Sequence, residues 1–344
     1  MQSSSPEPHT CPPIPMSDKT TRRDILGKLL LGGVATASLA VHEERVLAEE
    51  LDATSGATRL HTNWAKLADL KEKLPTSKIG DVKMTRMFIG GNLVLGYAHA
   101  RDLVYVSDLV RAYHTKEKIF ATLKLAEACG INTFLMNPSL CDVIKEYWEK
   151  ADGAIQFMTN CSGKTEVELL GNLQKSIDYG ASTCLIQGEV GDRLVREKKF
   201  DQIAKSLELV RKNDLPAGIA AHRLETLQGC VAEGLIPDFW MKTFHHHQYW
   251  SAKPGQAEHD NIFCRDPQET IDFMADRPEP WIAFKVLAAG ALRPQDGFRY
   301  AFESGADFIC VGMYDFQVVD DVNICGTILK GTLNRKRSWK TPDV

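Results

Sequence analysis

From about residue 84 onward, short apolar runs alternate with longer segments in which apolar positions return every three or four residues. The runs fall at residues 84–90, 131–136, 154–159, 183–187, 217–221, 239–244, 281–287 and 308–311. Between them, a segment such as 116–129 places Ile119, Leu123 and Ala126 at helical spacing behind a Lys/Glu-rich start. Short apolar runs separated by amphipathic helices are the pattern of repeated βα units and a parallel sheet. Gly130, Gly180 and Gly305 each follow a helical segment and precede a run, where a left-handed cap residue is wanted. Eight units over about 230 residues predict an α/β fold of the (β/α)8 TIM-barrel type, for which about 250 residues is usual. An open doubly wound sheet is the alternative, but no G-x-G-x-x-G follows the first run. The expected organisation is a leader over 1–60, a lead-in over 61–83, the barrel over 84–334 and a tail over 335–344.

The leader has its own logic. After a Ser/Pro-rich start, Arg22-Arg23 opens onto the apolar stretch 29–41, with a small-residue site at Ser38-Leu39-Ala40. This resembles a twin-arginine export signal, which implies a protein folded before export to the periplasm. The stretch is short and Gly/Ala-rich for a membrane span, which takes about 20 apolar residues. An amphipathic helix or an uncleaved anchor in the inner membrane is the other reading, and Met16 is an alternative start.

Composition narrows the partners. With 41 Lys+Arg against 45 Asp+Glu the formal net charge is -4, and no basic stripe stands out that could neutralise a phosphate backbone, so nucleic acid is not an expected partner. The membrane enters only through the export signal. The nine cysteines include no C-x-x-C pair and several lie in apolar runs, where Cys behaves as a small hydrophobe, so no disulfide framework is expected.

Barrel active sites are built at the C-terminal ends of the strands, and here those ends are polar. They read Gly90-Gly91-Asn92, Asn137, Asn160-Cys161, Gln187-Gly188-Glu189, His222-Arg223, His245-His246-His247 followed by Tyr249 and Trp250, and Tyr314-Asp315. In an extended segment His245 and His247 project to one side and His246 to the other. Two imidazoles so placed can share a divalent Zn, Mn or Fe ion if neighbouring strands add ligands, and Glu189 and His222 are nearest in barrel order. The other reading is that these histidines bind substrate hydroxyls directly. Lys285 lies in the apolar run 281–287, with Phe284 and Val286 expected to face the helices and Lys285 the barrel interior. A desolvated amine there can form a Schiff base with a carbonyl substrate, or Lys285 can pair with Glu189 or Asp315. Lys242, in the preceding run, shares the side of Phe244. Glu189 and Asp315 are further acid–base candidates. Asn92, Asn137, Asn160 and Gln187 are neutral groups that orient a polar ligand, Tyr249 and Tyr314 offer aromatic faces, and the loop carrying His99 and Arg101 is placed to fold over the mouth.

Several families share parts of this pattern. Phe88-Ile89-Gly90-Gly91-Asn92 and Ala128-Cys129-Gly130-Ile131-Asn132-Thr133-Phe134 resemble the first two strands of aldo-keto-reductase-like barrels. That resemblance covers about 50 of the 344 residues. It implies a catalytic Asp, Tyr, Lys and His on strands two to four, where this chain has Asn137-Pro138, Asn160-Cys161 and Gln187-Gly188-Glu189. The reductase tetrad is absent, and no nicotinamide cofactor is expected. The segments 284–290 and 305–313 look like the end of aldolase-type barrels, which hold a phosphate there. The order Glu189, His222, His245, Asp315 is similar to metal-dependent hydrolase barrels, although only His99 stands where that family has His-x-His. The whole resembles a group of exported bacterial barrels.

The expectation is an enzyme acting on a small polar substrate, sugar-like or a hydroxy or keto acid, as a metal-assisted hydrolase, lyase or isomerase. A Schiff-base aldolase using Lys285 and a non-catalytic binding barrel are the alternatives. Replacing Arg22 and Arg23 together by Lys is expected to stop export without touching the fold. Cell fractionation checks this, and processed protein persisting outside the cytoplasm would point to a different signal.

Overall fold

Alternation at the start of the chain produces a hairpin before it produces a barrel. The computed structural model describes residues 64–98, 103, 105–249, 252 and 262–344, so the expectations for 1–60, and for His99, Arg101 and Trp250, lie outside the described residues. Strands β1 (Thr76–Ile79) and β2 (Val82–Thr85) pair antiparallel around Gly80, whose φ of 57° suits a tight turn. Ile79 and Met84 are buried while Lys78 and Lys83 point to solvent, the period-2 pattern of a half-buried ribbon. The carbonyl of Lys83 accepts from Asn132 Nδ2 at 3.0 Å and Gln156 Nε2 at 2.7 Å. Both donors sit where barrel strands begin, so the hairpin closes the floor.

The expected first run, 84–90, is therefore two elements. β2 ends at Thr85, Arg86 turns the chain, and the first barrel strand is β3 (Met87–Gly90). The others are β4 (Thr133–Met136), β5 (Gln156–Cys161), β6 (Thr183–Ile186), β7 (Ala217–Ala221), β8 (Phe239–Thr243), β9 (Trp281–Phe284) and β10 (Phe308–Val311). All pair in parallel and β10 returns to β3, with Cys310 opposite Phe88, to give a closed eight-stranded barrel. The (β/α)8 expectation holds.

Ten helices surround it among the described residues: α1 (Tyr105–Tyr113), α2 (Lys116–Ala128), α3 (Cys141–Ala151), α4 (Glu166–Asp178), α5 (Gly188–Arg196), α6 (Phe200–Arg211), α7 (Leu224–Ala232), α8 (Pro267–Ala275), α9 (Pro294–Glu303) and α10 (Asp315–Lys330). Their starts are chemically set. Thr165 accepts from the Glu168 amide while the Glu168 carboxylate accepts from the Thr165 amide, a capping box that satisfies amides left free at the start of α4. None of the described helices is long and apolar enough to cross a membrane. The eight described cysteines are buried free thiols.

The seventh run stops early. β9 ends at Phe284, and Lys285 follows in a left-handed conformation with φ of 56°. Phe284, expected to face the helices, instead reaches the barrel mouth together with Lys285; its ring lies 5.6 Å from that of His222.

Residues 335–344 are built into the floor. Asp307, fully buried, accepts from Arg337 at 2.6 Å, from the Trp281 amide at 2.9 Å and from the Lys340 amide at 2.8 Å. Arg86 donates to the Asp307 carbonyl, Thr341 and Asp343 at 3.0, 2.9 and 2.6 Å, with its guanidinium 4.1 Å from the Trp339 ring centroid. Breaking a buried ion pair from one side leaves an uncompensated charge. Arg337→Ala is therefore expected to cost about 3–5 kcal/mol, read as a lower urea midpoint with an unchanged denaturant slope.

Candidate active site

The C-terminal ends of the strands open into a cavity of about 1210 Å³. One wall is set by a helix that lies unusually near a strand. A Cβ on Gly188 would sit 2.9 Å from His222 Cε1, and one on Gly191 would sit 2.6 Å from the Ala220 carbonyl oxygen. These two glycines, three apart on α5, let the helix press against β7.

That approach brings Asp192 beneath the end of β7. Its carboxylate accepts from the His222 amide at 3.1 Å, the Arg223 amide at 3.2 Å, Thr226 Oγ1 at 2.6 Å and His222 Nδ1 at 3.1 Å. Burial alone would push this carboxyl up, but the hydrogen bonds from His222 and Thr226 and the charge of a protonated His222 outweigh it and hold Asp192 below its ordinary value. A carboxylate only accepts, so when His222 is neutral its one ring proton sits on Nδ1 and the Nε2 lone pair is left free. The imidazole lines the cavity. Sequence reasoning missed Asp192, because its only signal is a Gly-x-x-Gly-Asp segment opening a short helix.

Of the expected site residues, Asn92, Asn137, Asn160, Gln187, Glu189, His222, Lys285 and Tyr314 all line this cavity. They are not equivalent. Asn137 Oδ1 is engaged in capping the Ser139 amide at 3.0 Å, and Tyr314 stacks on Phe316 at 5.1 Å. Asn160 Oδ1, by contrast, is buried and has no hydrogen-bond partner, a state that calls for a ligand or an ordered water. Lys285 Nζ stands 3.7 Å from the centroid of the Phe263 ring, which also lines the cavity.

The expected metal quartet does not assemble. Glu189 and His222 are in the cavity, whereas His245 and His247 are outside it. β8 ends at Thr243, so strand alternation no longer orients residues 245–247. The two imidazoles, with centroids 5.7 Å apart, turn instead to the neighbouring backbone. His245 Nδ1 donates to the His246 carbonyl at 3.0 Å, and its Nε2 accepts from the Phe263 and Cys264 amides at 3.0 and 3.1 Å. The lone pair a metal would need is taken. His247 Nε2 donates to the Cys264 carbonyl at 2.5 Å. Together they pin Phe263 where it meets Lys285. Among the described residues no three His, Cys, Asp or Glu side chains are grouped to hold a metal ion.

Two more residues fall elsewhere. Asp315 accepts from Tyr113 Oη and, at 2.9 Å, from Lys118 Nζ, tying the start of α10 to α1 and α2 rather than facing the cavity. Tyr249 packs 6.1 Å from the His245 ring, outside the mouth. Lys242 is buried on the helix side of β8 and donates to the His222 carbonyl at 2.7 Å.

No protein-family model matches this chain, and no curated protein matches it in sequence. Solved structures do. A barrel from Pseudomonas aeruginosa, whose proposed activity is that of an aldo-keto reductase, aligns with a TM-score of 0.54 at 14% identity over 76% of this chain and 99% of that one. A soluble mutant of (S)-mandelate dehydrogenase from Pseudomonas putida aligns at 0.46 and 12% identity, covering 79% and 80% of the two chains. A truncated 3-deoxy-D-arabino-heptulosonate 7-phosphate synthase from Thermotoga maritima gives 0.44 at 13%, covering 75% and 91%. At 14% identity the likeness to the first of these is one of fold.

Burial makes His245 a pH sensor of stability. Desolvation lowers its pKa from 6.5 to about 4. As pH falls, the unfolded chain takes up this proton before the folded one, so the contribution of His245 is whole above pH 6.5 and is lost between 6.5 and about 4. The loss is on the order of 3 kcal/mol. His245→Gln, which still accepts from an amide, is expected to lose less stability than the parent between about pH 7 and about pH 4.5, measured by urea unfolding at each pH.

Proposed function

We propose that this barrel is an enzyme that moves a proton on a polar hydroxy or keto acid, or a related sugar, bound at the mouth, as an isomerase, lyase or hydrolase. The observation that carries the reading is the Asp192–His222 pair, whose imidazole lines the same cavity as Asn160 with its unpartnered Oδ1. A histidine oriented through one ring nitrogen by a buried carboxylate is equipped to take and return a proton through the other. Asn160 Oδ1 accepts from a substrate hydroxyl and so fixes which carbon meets Nε2. Lys285 supplies positive charge where an enolate or alkoxide oxygen would form.

The Schiff-base alternative is the weaker of the two. A cation over a ring face is attracted by the ring quadrupole, so the Phe263 setting suits an ammonium acting on an anion better than the neutral amine that imine formation requires. The metal-assisted version would need ligands other than His245 and His247, since both imidazoles are engaged by backbone groups.

The test is exchange of substrate carbon-bound hydrogen in heavy water, followed by NMR across hydroxy acids, keto acids and sugars. A responding compound should exchange about 100- to 10,000-fold more slowly with His222→Gln, and Asp192→Asn should fall in the same range. Unchanged exchange in His222→Gln, or none by the parent on any compound, would refute the assignment. Retention of label by borohydride at Lys285 would favour the imine route.

A further inference from the structure

The cavity is larger than a small acid needs, and its charge is one-sided. Ligand pockets for drug-sized molecules run from about 300 to about 1000 Å³, and this one is about 1210 Å³. On the side formed by three successive barrel loops it is lined by Lys164 from the loop after β5, Arg193 and Arg196 from α5, and Arg223 from the end of β7. In a chain of net charge -4 such a grouping runs against the average.

The carboxylates nearby do not cancel it. Glu168 lines the same wall, but its Oε2 accepts from the Lys164 and Thr165 amides at 2.7 and 3.4 Å, engaged in the capping box of α4. Asp192 is taken by His222 and Thr226. Glu197 binds Lys199 at 2.7 Å and Arg193 only at 3.7 Å. Glu189 is left as the one lining carboxylate without such an engagement among the described residues. Arg193 is also pre-positioned, with Nη2 donating to the Gly163 carbonyl at 2.7 Å, so its remaining donors are aimed with little freedom to lose. Guanidinium forks match planar or tetrahedral oxyanions and can bind them through paired hydrogen bonds.

We infer that the ligand of this barrel carries an oxyanion group, carboxylate, phosphate or sulfate, set apart from its reacting carbon and held by the basic wall of Lys164, Arg193, Arg196 and Arg223. This lies on the side of the mouth formed after β5, β6 and β7, away from the last two loops where barrels commonly hold phosphate. It rests on the assignment of the mouth as the active site. The reacting end then lies at His222 and Asn160, and the anionic end fixes orientation without taking part in proton transfer.

The experiment is calorimetric binding of glucose, glucuronate and glucose 6-phosphate to the full chain at low and at physiological salt. The two anionic sugars should bind more tightly than glucose and weaken with added salt, and their ranking identifies carboxylate or phosphate as the preferred group. The double variant Arg196→Gln/Arg223→Gln, with both side chains at the rim, should weaken the anions about tenfold and leave glucose alone; thermal melting checks that it folds. His222→Gln should keep the anion affinity while losing exchange, which separates this inference from the proton-transfer assignment. Equal binding of glucose and the anions, anion affinity untouched by the double variant, or its removal by Lys285→Met instead would overturn the inference.

Discussion

A closed barrel has one seam at which the last strand must find the first, and everything at the mouth depends on that seam holding. Here it lies between β10 and β3, and it is buttressed from below by buried charge. Asp307 immediately precedes β10 and Arg86 immediately precedes β3; the Arg86 guanidinium reaches the Asp307 carbonyl, while Asp307 itself is neutralised by Arg337. Charges so deeply removed from water persist only when fully partnered. The last ten residues supply those partners, through Arg337, Thr341 and Asp343. The chain end therefore acts as the lock of the floor.

At the opposite end the same principle of a partnered buried carboxylate serves orientation. Asp192 caps the start of α7 and fixes the His222 ring with a single side chain, so the group that would move a proton is held by an interaction the helix also needs. Gly188 and Gly191 make this possible by removing the two Cβ atoms that would keep α5 away from β7. The pair His245 and His247 works at one further remove, gripping the backbone at 263–264 so that Phe263 sits under the Lys285 ammonium. Floor and mouth thus differ in kind, with the buried charge network at one end and the polar cavity at the other.

Much of this could be read from one-dimensional pattern. Hydrophobic runs alternating with amphipathic segments named all eight barrel strands, because a strand buried on both faces and a helix buried on one have different periods. Gly130, Gly180 and Gly305 marked helix ends, and their φ values of 91°, 87° and 115° are those that position demands. Polar residues after the runs marked the mouth, and Asn160, Gln187, Glu189 and His222 all reach it.

What the sequence determined by itself was periodicity and its interruptions, which are local properties of the chain. Only the tertiary structure decided where each strand stopped, and so which way the side chains beyond it point. The end of β9 at Phe284, three residues short of the expected run, brought Phe284 to the mouth beside Lys285, and the end of β8 before His245 turned a would-be ligand pair toward backbone amides. The Asp192–His222 contact spans 30 residues and the Arg337–Asp307 contact 30 more at the far end. Both depend on the approach of separate elements, set by the absence of a Cβ in one case and by the burial of charge in the other, and neither leaves a periodic trace in the chain.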